Sequence, residues 1–205
     1  MLVIHLIARK PFNFHSVVNS HGWRQLAPFS YDETTSTLGY TLRLSNARVI
    51  ELKLREAKDG VSIETDKLNK AEQKEVTDKV TWMFGLDMGF SDFYSAARLE
   101  PRLARAKKQA LGRVLRSPTL FEDVVKTIFT TNTLWGATKN MTRKLVDEFG
   151  LSLSTDEAQI TKSFPTPDAI AASNPNFIQE KIRVGYRAPA IHDLAEKSFP
   201  NGRAG

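Results

Sequence analysis

Residues 115–150, LRSPTLFEDVVKTIFTTNTLWGATKNMTRKLVDEFG, decide how the rest of the chain is read. Ser117 is a favourable N-cap, and Pro118 suits a first helical position, where a missing N–H does no harm. Leu120, Phe121, Val124, Val125, Ile128 and Phe129 recur at helical spacing as a broad apolar stripe, which predicts a buried central helix. Four polar residues, Thr130 to Thr133, interrupt the pattern directly after its most apolar part. A second helix then turns Met141, Leu145, Val146 and Phe149 inward until Gly150 stops it. A polar elbow on a core helix marks this stretch as a candidate functional feature.

Upstream of the elbow the pattern has a period of two. Leu2, Ile4 and Leu6 alternate with Val3, His5 and Ile7, and a short helix is expected from about Phe12 toward Gly22. Leu38, Tyr40, Leu42 and Leu44 alternate, Ser45-Asn46-Ala47 turns the chain, and Ile50, Leu52 and Leu54 alternate again, as in a hairpin with one wet face. Asp59-Gly60 turns once more into Val61 and Ile63. An antiparallel sheet of four or five strands is therefore expected over 1–66. From Lys67 the period becomes helical. Val76, Val80, Met83, Phe84 and Asp87 form one group, and Phe90, Phe93, Tyr94 and Ala97 form a second. The fold class is α+β, with a sheet domain at 1–66 and a helical domain at 67–205.

Downstream, a polar connector spans 152–163. Thr166 and Pro167 then cap and begin a short helix through Ala171, and Asn174-Pro175 begins another through Ile182 that Gly185 ends. Tyr186-Arg187-Ala188-Pro189 opens a last helix with Ile191, Leu194, Ala195 and Phe199 on one face. Asp168 sits favourably near a helix N-terminus.

Composition excludes several classes. There is no cysteine, hence no disulfide framework, thiolate metal site or cysteine nucleophile. His5, His15, His21 and His192 show no zinc-site spacing, and neither a metal nor a cofactor is expected. His192-Asp193 is not expected to act as a catalytic pair, since adjacent helical residues do not face each other. The opening MLVIHLIARK is too short an apolar run for a membrane span, so the expected compartment is the cytoplasm. Lys and Arg number 29 against 23 Asp and Glu, a net charge of +6 that favours polyanionic partners such as nucleic acid. Seven basic residues fall within 98–116 against one acid, Glu100, and are expected to form a solvated surface segment.

An N-terminal antiparallel sheet, the pair SPTLFEDVVKTIFTTNTLW and MTRKLVDEFG, then FPTPDAIA, then GYRAPAIHDLA follow one another over roughly residues 10–199. Together they resemble the helix-hairpin-helix DNA glycosylases, in the branch that joins 3-methyladenine DNA glycosylase II with 8-oxoguanine DNA glycosylase. The resemblance implies that the sheet is a TATA-binding-protein-like domain. It also implies a partner, duplex DNA with a damaged base, and a reaction, N-glycosidic cleavage of a damaged purine in base excision repair. Such an enzyme flips the damaged nucleotide out of the stack and must fill the gap. By resemblance Asn132 enters that gap, Tyr186 wedges against the base step and the Arg187 guanidinium contacts the orphaned base. Each also has a plainer role open to it. Asn132 suits a helix C-cap, Tyr186 could pack on the preceding helix, and Arg187 could neutralise a helix end or pair with Asp193. Trp135 is expected in the core.

Two departures from the family stand out. Where the 8-oxoguanine branch has a second orphan-base arginine, this chain has Ala137. The LPGVG-type hairpin and the catalytic Asp or Lys, which follow the GYRA helix in the family, are missing from these residues. The chain is therefore expected to be a monomeric, prokaryotic, nucleoid-associated piece of a glycosylase that alone excises nothing. The alternative is a non-catalytic DNA-binding module of the same fold.

Overall fold

The computed structural model describes residues 1–153 and 161–198. Most of the polar connector, Phe199 and the closing residues 200–205 lie outside the described residues. Proximity of Cα atoms divides the chain into two compact units, one of 1–24, 29–40 and 50–118, the other of 25–28, 41–49 and 119–205. Strand structure gives way to helix just after residue 66, while this division groups the helices of 70–97 with the sheet.

Among the described residues the sheet has five strands, β1 (Leu2–Ile7), β2 (Phe29–Asp32), β3 (Thr37–Arg43), β4 (Val49–Ala57) and β5 (Gly60–Thr65), in the spatial order β1-β5-β4-β3-β2. The registers are antiparallel: Ile4 faces Ile63 across β1 and β5, Leu54 faces Ile63 across β4 and β5, and Ser30 faces Gly39 across β2 and β3. Gly60 admits no side chain, because a Cβ there would lie 2.0 Å from the Leu6 carbonyl oxygen. On β4 the alternation is clean, with Ile50, Leu52 and Leu54 buried. β3 departs from the expected wet face, being buried on both sides from Thr37 to Leu42. Its intervening residues Thr37, Gly39 and Thr41 are small, and the Thr37 hydroxyl accepts from Arg55 Nε at 2.9 Å. Small, hydrogen-bonded residues can be buried at low cost, and polarity alone misassigns them.

The first unit also holds helix α1 (Phe14–Val18), helix α2 (Lys70–Phe84) and helix α3 (Ser91–Ala97). α2 starts in a reciprocal capping box: the Asn69 side chain accepts from Glu72 N–H, and the Glu72 carboxylate accepts from Asn69 N–H. It ends at Gly85 in the left-handed region, φ 56°. Phe14 of α1 stacks on Phe84 at 5.4 Å, and Val76, Val80 and Met83 are fully buried.

The basic run of 98–116 is exposed over most of its length, but Arg113 is buried. Its guanidinium donates to the carbonyls of Arg9 and Pro11 (both 2.6 Å), Met88 (2.8 Å) and Gly85 (3.0 Å). Burial lowers its pKa from the ordinary arginine value. A side chain assigned to solvent by composition therefore staples two separate segments of backbone, 9–11 and 85–88.

The second unit contains α4 (Leu120–Thr130), α5 (Trp135–Phe149), α6 (Pro167–Ala171), α7 (Pro175–Ile182) and α8 (Arg187–Ser198). Their core is Val125, Phe129, Met141, Leu145, Val146, Phe164, Ile170, Ile178, Ile182, Ala188 and Ile191, with Phe121, Ile128, Phe149 and Leu194 packed against it. The cap of α4 is Thr119, whose hydroxyl accepts from Glu122 N–H, and the expected Ser117 and Pro118 precede the helix. A threonine followed three residues later by Glu122 is itself a capping pattern. The inward face of α4 also differs from expectation. Leu120 is exposed, while Glu122 and Lys126 are buried and paired at 2.5 Å. α5 ends at Gly150 by close approach, since a Cβ there would meet the Ser163 carbonyl oxygen at 2.3 Å. α6 begins at Pro167 after Thr166, as expected. α7 ends at Arg183 in the left-handed region, φ 61°, two residues before Gly185. No helix among the described residues is long and apolar enough to cross a membrane.

Candidate nucleic-acid interface

The elbow forms because α4 runs out of helix formers. Thr130 Oγ1 donates back to the Thr127 carbonyl at 2.7 Å and Thr131 Oγ1 to the Ile128 carbonyl at 2.8 Å, so the hydroxyls take acceptors that a continuing helix would use. Thr131, the C-cap, is extended at φ −68° and ψ 132°. Asn132 then adopts φ 43°, a left-handed conformation that asparagine tolerates better than most residues. Thr131, Asn132 and Leu134 are exposed, and Leu134 presents its apolar side chain at 82% exposure just before α5 begins.

The junction of α7 and α8 meets this elbow. Arg183 and Gly185 both take positive φ and swing the chain so that Tyr186 points outward, 67% exposed, while Arg187 turns in, 7% exposed. The Asn132 side-chain amide donates to the Tyr186 hydroxyl at 3.2 Å, and the Thr131 hydroxyl lies 3.4 Å from the same oxygen. Arg187 Nε donates to the Ile128 carbonyl and to Thr131 Oγ1, both at 3.2 Å; Nη1 donates to the Val184 carbonyl at 3.1 Å, and Nη2 to the Thr131 carbonyl. The guanidinium thus closes the C-terminal end of α4, where the helix dipole is negative and the last carbonyls lack helical partners. It also lies 4.6 Å from the centre of the Tyr186 ring. The hydrogen bond to Thr131, then that to Asn132, lowers the Tyr186 phenol pKa from its ordinary value, with the Arg187 charge adding in the same direction.

The structure brings Asn132, Tyr186 and Arg187 together at one elbow. Thr131, which the sequence reading passed over, joins them through hydrogen bonds to both Tyr186 and Arg187. Leu134 was also missed. Its signal was a lone leucine inside an otherwise polar connection. Ala137 is exposed on the first turn of α5, and Trp135 is half-buried with its indole N–H donating to Gln25 Oε1 at 3.1 Å. His192, Asp193 and Glu196 on α8 offer ligand atoms within 4.8 Å of one another. Imidazole Nε2 stands 3.1 Å from the Ser173 carbonyl and Nδ1 3.8 Å from Glu196, so the histidine pairs one turn along the helix.

No protein-family model matches the chain, and no curated protein sequence matches it. Solved structures do. A 3-methyladenine DNA glycosylase from Archaeoglobus fulgidus aligns with a TM-score of 0.72 at 17% identity, over 98% of this chain and 68% of that one. The 8-oxoguanine glycosylase/lyase of Clostridium acetobutylicum, solved with double-stranded DNA carrying cytosine opposite 8-oxoG, aligns at 0.64 and 18% identity over 91% and 59%. MBOgg1, solved with a low-affinity DNA ligand, aligns at 0.66 and 22% over 95% and 61%. The chain spans about three fifths to two thirds of the length of these structures. It has their fold.

Proposed function

We propose that this chain is the sheet domain and most of the helical domain of a DNA glycosylase that flips a damaged purine out of duplex DNA in base excision repair. The observation that carries the reading is the elbow itself: an exposed amide and an exposed phenol, Asn132 and Tyr186, hydrogen-bonded to each other on a fold shared with DNA glycosylases. A flipped nucleotide leaves a gap with unpaired base edges and lost stacking. An aromatic ring restores stacking worth about 1 to 3 kcal/mol per base, and an amide offers both a donor and an acceptor to the orphaned base. Leu134 adds an apolar edge beside them. Arg187 serves DNA binding by holding the elbow in shape, since direct contact with the orphaned base would require its guanidinium to leave three carbonyls. The sheet corresponds to the TATA-binding-protein-like domain, and the protein works as a cytoplasmic monomer.

The groups gathered at the elbow are hydroxyls, an amide and a guanidinium, none of them suited to stabilise an oxocarbenium-like sugar or to attack it. We therefore assign binding and insertion to these residues and no excision to the 205-residue chain alone. Fluorescence anisotropy tests the first part. Asn132→Ala and Tyr186→Ala should each weaken binding to a duplex with an abasic-site analogue by about 1 to 3 kcal/mol, with little effect on an undamaged duplex. Equal losses on both duplexes, or none, would overturn it. Incubation with alkylated and 8-oxoguanine duplexes tests the second, and robust base release by this chain would refute it.

A further inference from the structure

The first unit holds a cavity of about 370 Å³ between the end of β1, the turn after α2 and the outer face of α3. Its lining carries Arg9, Lys10, Arg98 and Lys107 and no carboxylate. Lys10 is paired with Asp59 at 3.3 Å, whereas the side chains of Arg9, Arg98 and Lys107 have no hydrogen-bond or ion-pair partner among the described residues. Three uncompensated cations around one concavity repel each other. Low-dielectric walls, here Phe90 and Tyr94, focus their field into the cleft. The hydroxyls of Ser91 and Ser95 also line it.

The cleft is held open by groups that are themselves fixed. Arg113 clamps the carbonyls of Arg9 and Pro11 on one side and of Gly85 and Met88 on the other, and the Tyr94 hydroxyl ties α3 to the Leu111 carbonyl at 2.8 Å. The Arg9 guanidinium lies so close to Gly89 that a Cβ there would sit 2.8 Å from Arg9 Cζ. The volume is within the range of small-ligand sites, roughly 300 to 1,000 Å³. We propose that this cleft is a phosphate-binding site, in which Arg9, Arg98 and Lys107 hold the oxygens of a phosphate group. That phosphate belongs either to a DNA backbone or to a small phosphorylated molecule. Phosphate binding stands independently of the glycosylase reading, and only the DNA source rests on it.

Two measurements on the 205-residue chain test the site and its source. Titration with inorganic pyrophosphate, followed by amide NMR, should shift residues 89–98, and the shifts should vanish in the double variant Arg98→Ala/Lys107→Ala. Gly89→Ala displaces the Arg9 side chain without removing a charge and should weaken pyrophosphate binding several-fold. In the second measurement, affinity for an undamaged duplex is followed against salt. Each lost phosphate contact lowers the slope of log K against log salt by about 0.9. A slope reduced by about 1 to 2 in the double variant, together with the pyrophosphate shifts, identifies the DNA backbone as occupant. Pyrophosphate shifts with an unchanged slope identify a small phosphorylated ligand. Absence of the shifts in the unmodified chain overturns the proposal. Loss of abasic-site discrimination in Asn132→Ala is read separately, so failure of either idea leaves the other visible.

Discussion

Replacing Arg187 by alanine removes four hydrogen bonds at once, and the consequences for their acceptors are unequal. The Ile128 carbonyl keeps two other donors, the Thr131 N–H at 3.2 Å and the Thr131 hydroxyl at 2.8 Å, so it is not orphaned. The Thr131 carbonyl belongs to an exposed residue and rehydrates, at a loss of about 1 kcal/mol. The Val184 carbonyl belongs to a buried residue and loses a charged donor, at about 1 to 3 kcal/mol. The sum is about 2 to 4 kcal/mol. For a chain of this size that lowers Tm by roughly 4 to 16 °C. Scanning calorimetry of Arg187→Ala, with Arg187→Lys alongside, measures it. The ammonium of the lysine variant supplies a charge without the planar fork and should recover less than half. An alanine variant within about 0.5 kcal/mol of the parent would show that the guanidinium does not close α4, and the positioning role would fall with it.

Further outcomes follow from other groups. Removing one member of the buried Glu122–Lys126 pair leaves the other uncompensated: Lys126→Met should cost about 3 to 5 kcal/mol in urea unfolding, and Glu122→Leu/Lys126→Met should recover most of it. Burial lowers the Lys126 pKa and the Glu122 charge only partly opposes this, so its folded-state pKa lies below the unfolded one. Its contribution is therefore fully present above the unfolded lysine pKa and is lost as pH falls through the folded one; stability of the parent should rise with pH across that window relative to the double variant. Tyr186 should deprotonate below the pH of an ordinary tyrosine in an NMR titration, and Asn132→Ala should move it back upward. Arg113→Ala should destabilise the first unit by about 2 to 4 kcal/mol, because the carbonyl of buried Gly85 loses its charged donor and those of Arg9, Pro11 and Met88 lose theirs, and an unchanged urea midpoint would contradict the staple.

The elements were legible where the local pattern was also the tertiary one. α5, α6 and the hairpin strands came from periodicity and turn residues, and Tyr186 beside Asn132 came from residues that match a family motif in order. Residues whose partners are remote were not legible. Arg113 sits in a run of exposed cations, and what buries it is a set of carbonyls that includes those of Arg9 and Pro11, about a hundred positions away. On α4 the apolar stripe at i, i+1, i+4 and i+5 is two columns wide, and either edge could face inward. The buried face proved to be Glu122, Val125, Lys126 and Phe129, at i, i+3, i+4 and i+7. Two charges were accepted there because each satisfies the other, a condition that hydrophobicity does not register.

The same distinction changes what the positive charge of the chain means. Arg113, Lys126 and Arg187 are buried cations whose donors already have acceptors inside the protein, so they add little to attraction for a polyanion. Net charge counts them equally with Arg98 and Lys107, which are exposed and unpaired among the described residues. A partner would feel the second group. Substituting Arg187 should therefore weaken binding to abasic duplex through the shape of the elbow while leaving the salt dependence of binding to undamaged duplex unchanged, whereas losing Arg98 and Lys107 should flatten that dependence and spare abasic-site discrimination. Measuring both quantities in both variants separates shape from charge. If Arg187→Ala flattened the salt slope as much as the double variant, the guanidinium would be a phosphate contact and the closed elbow would have to open on DNA.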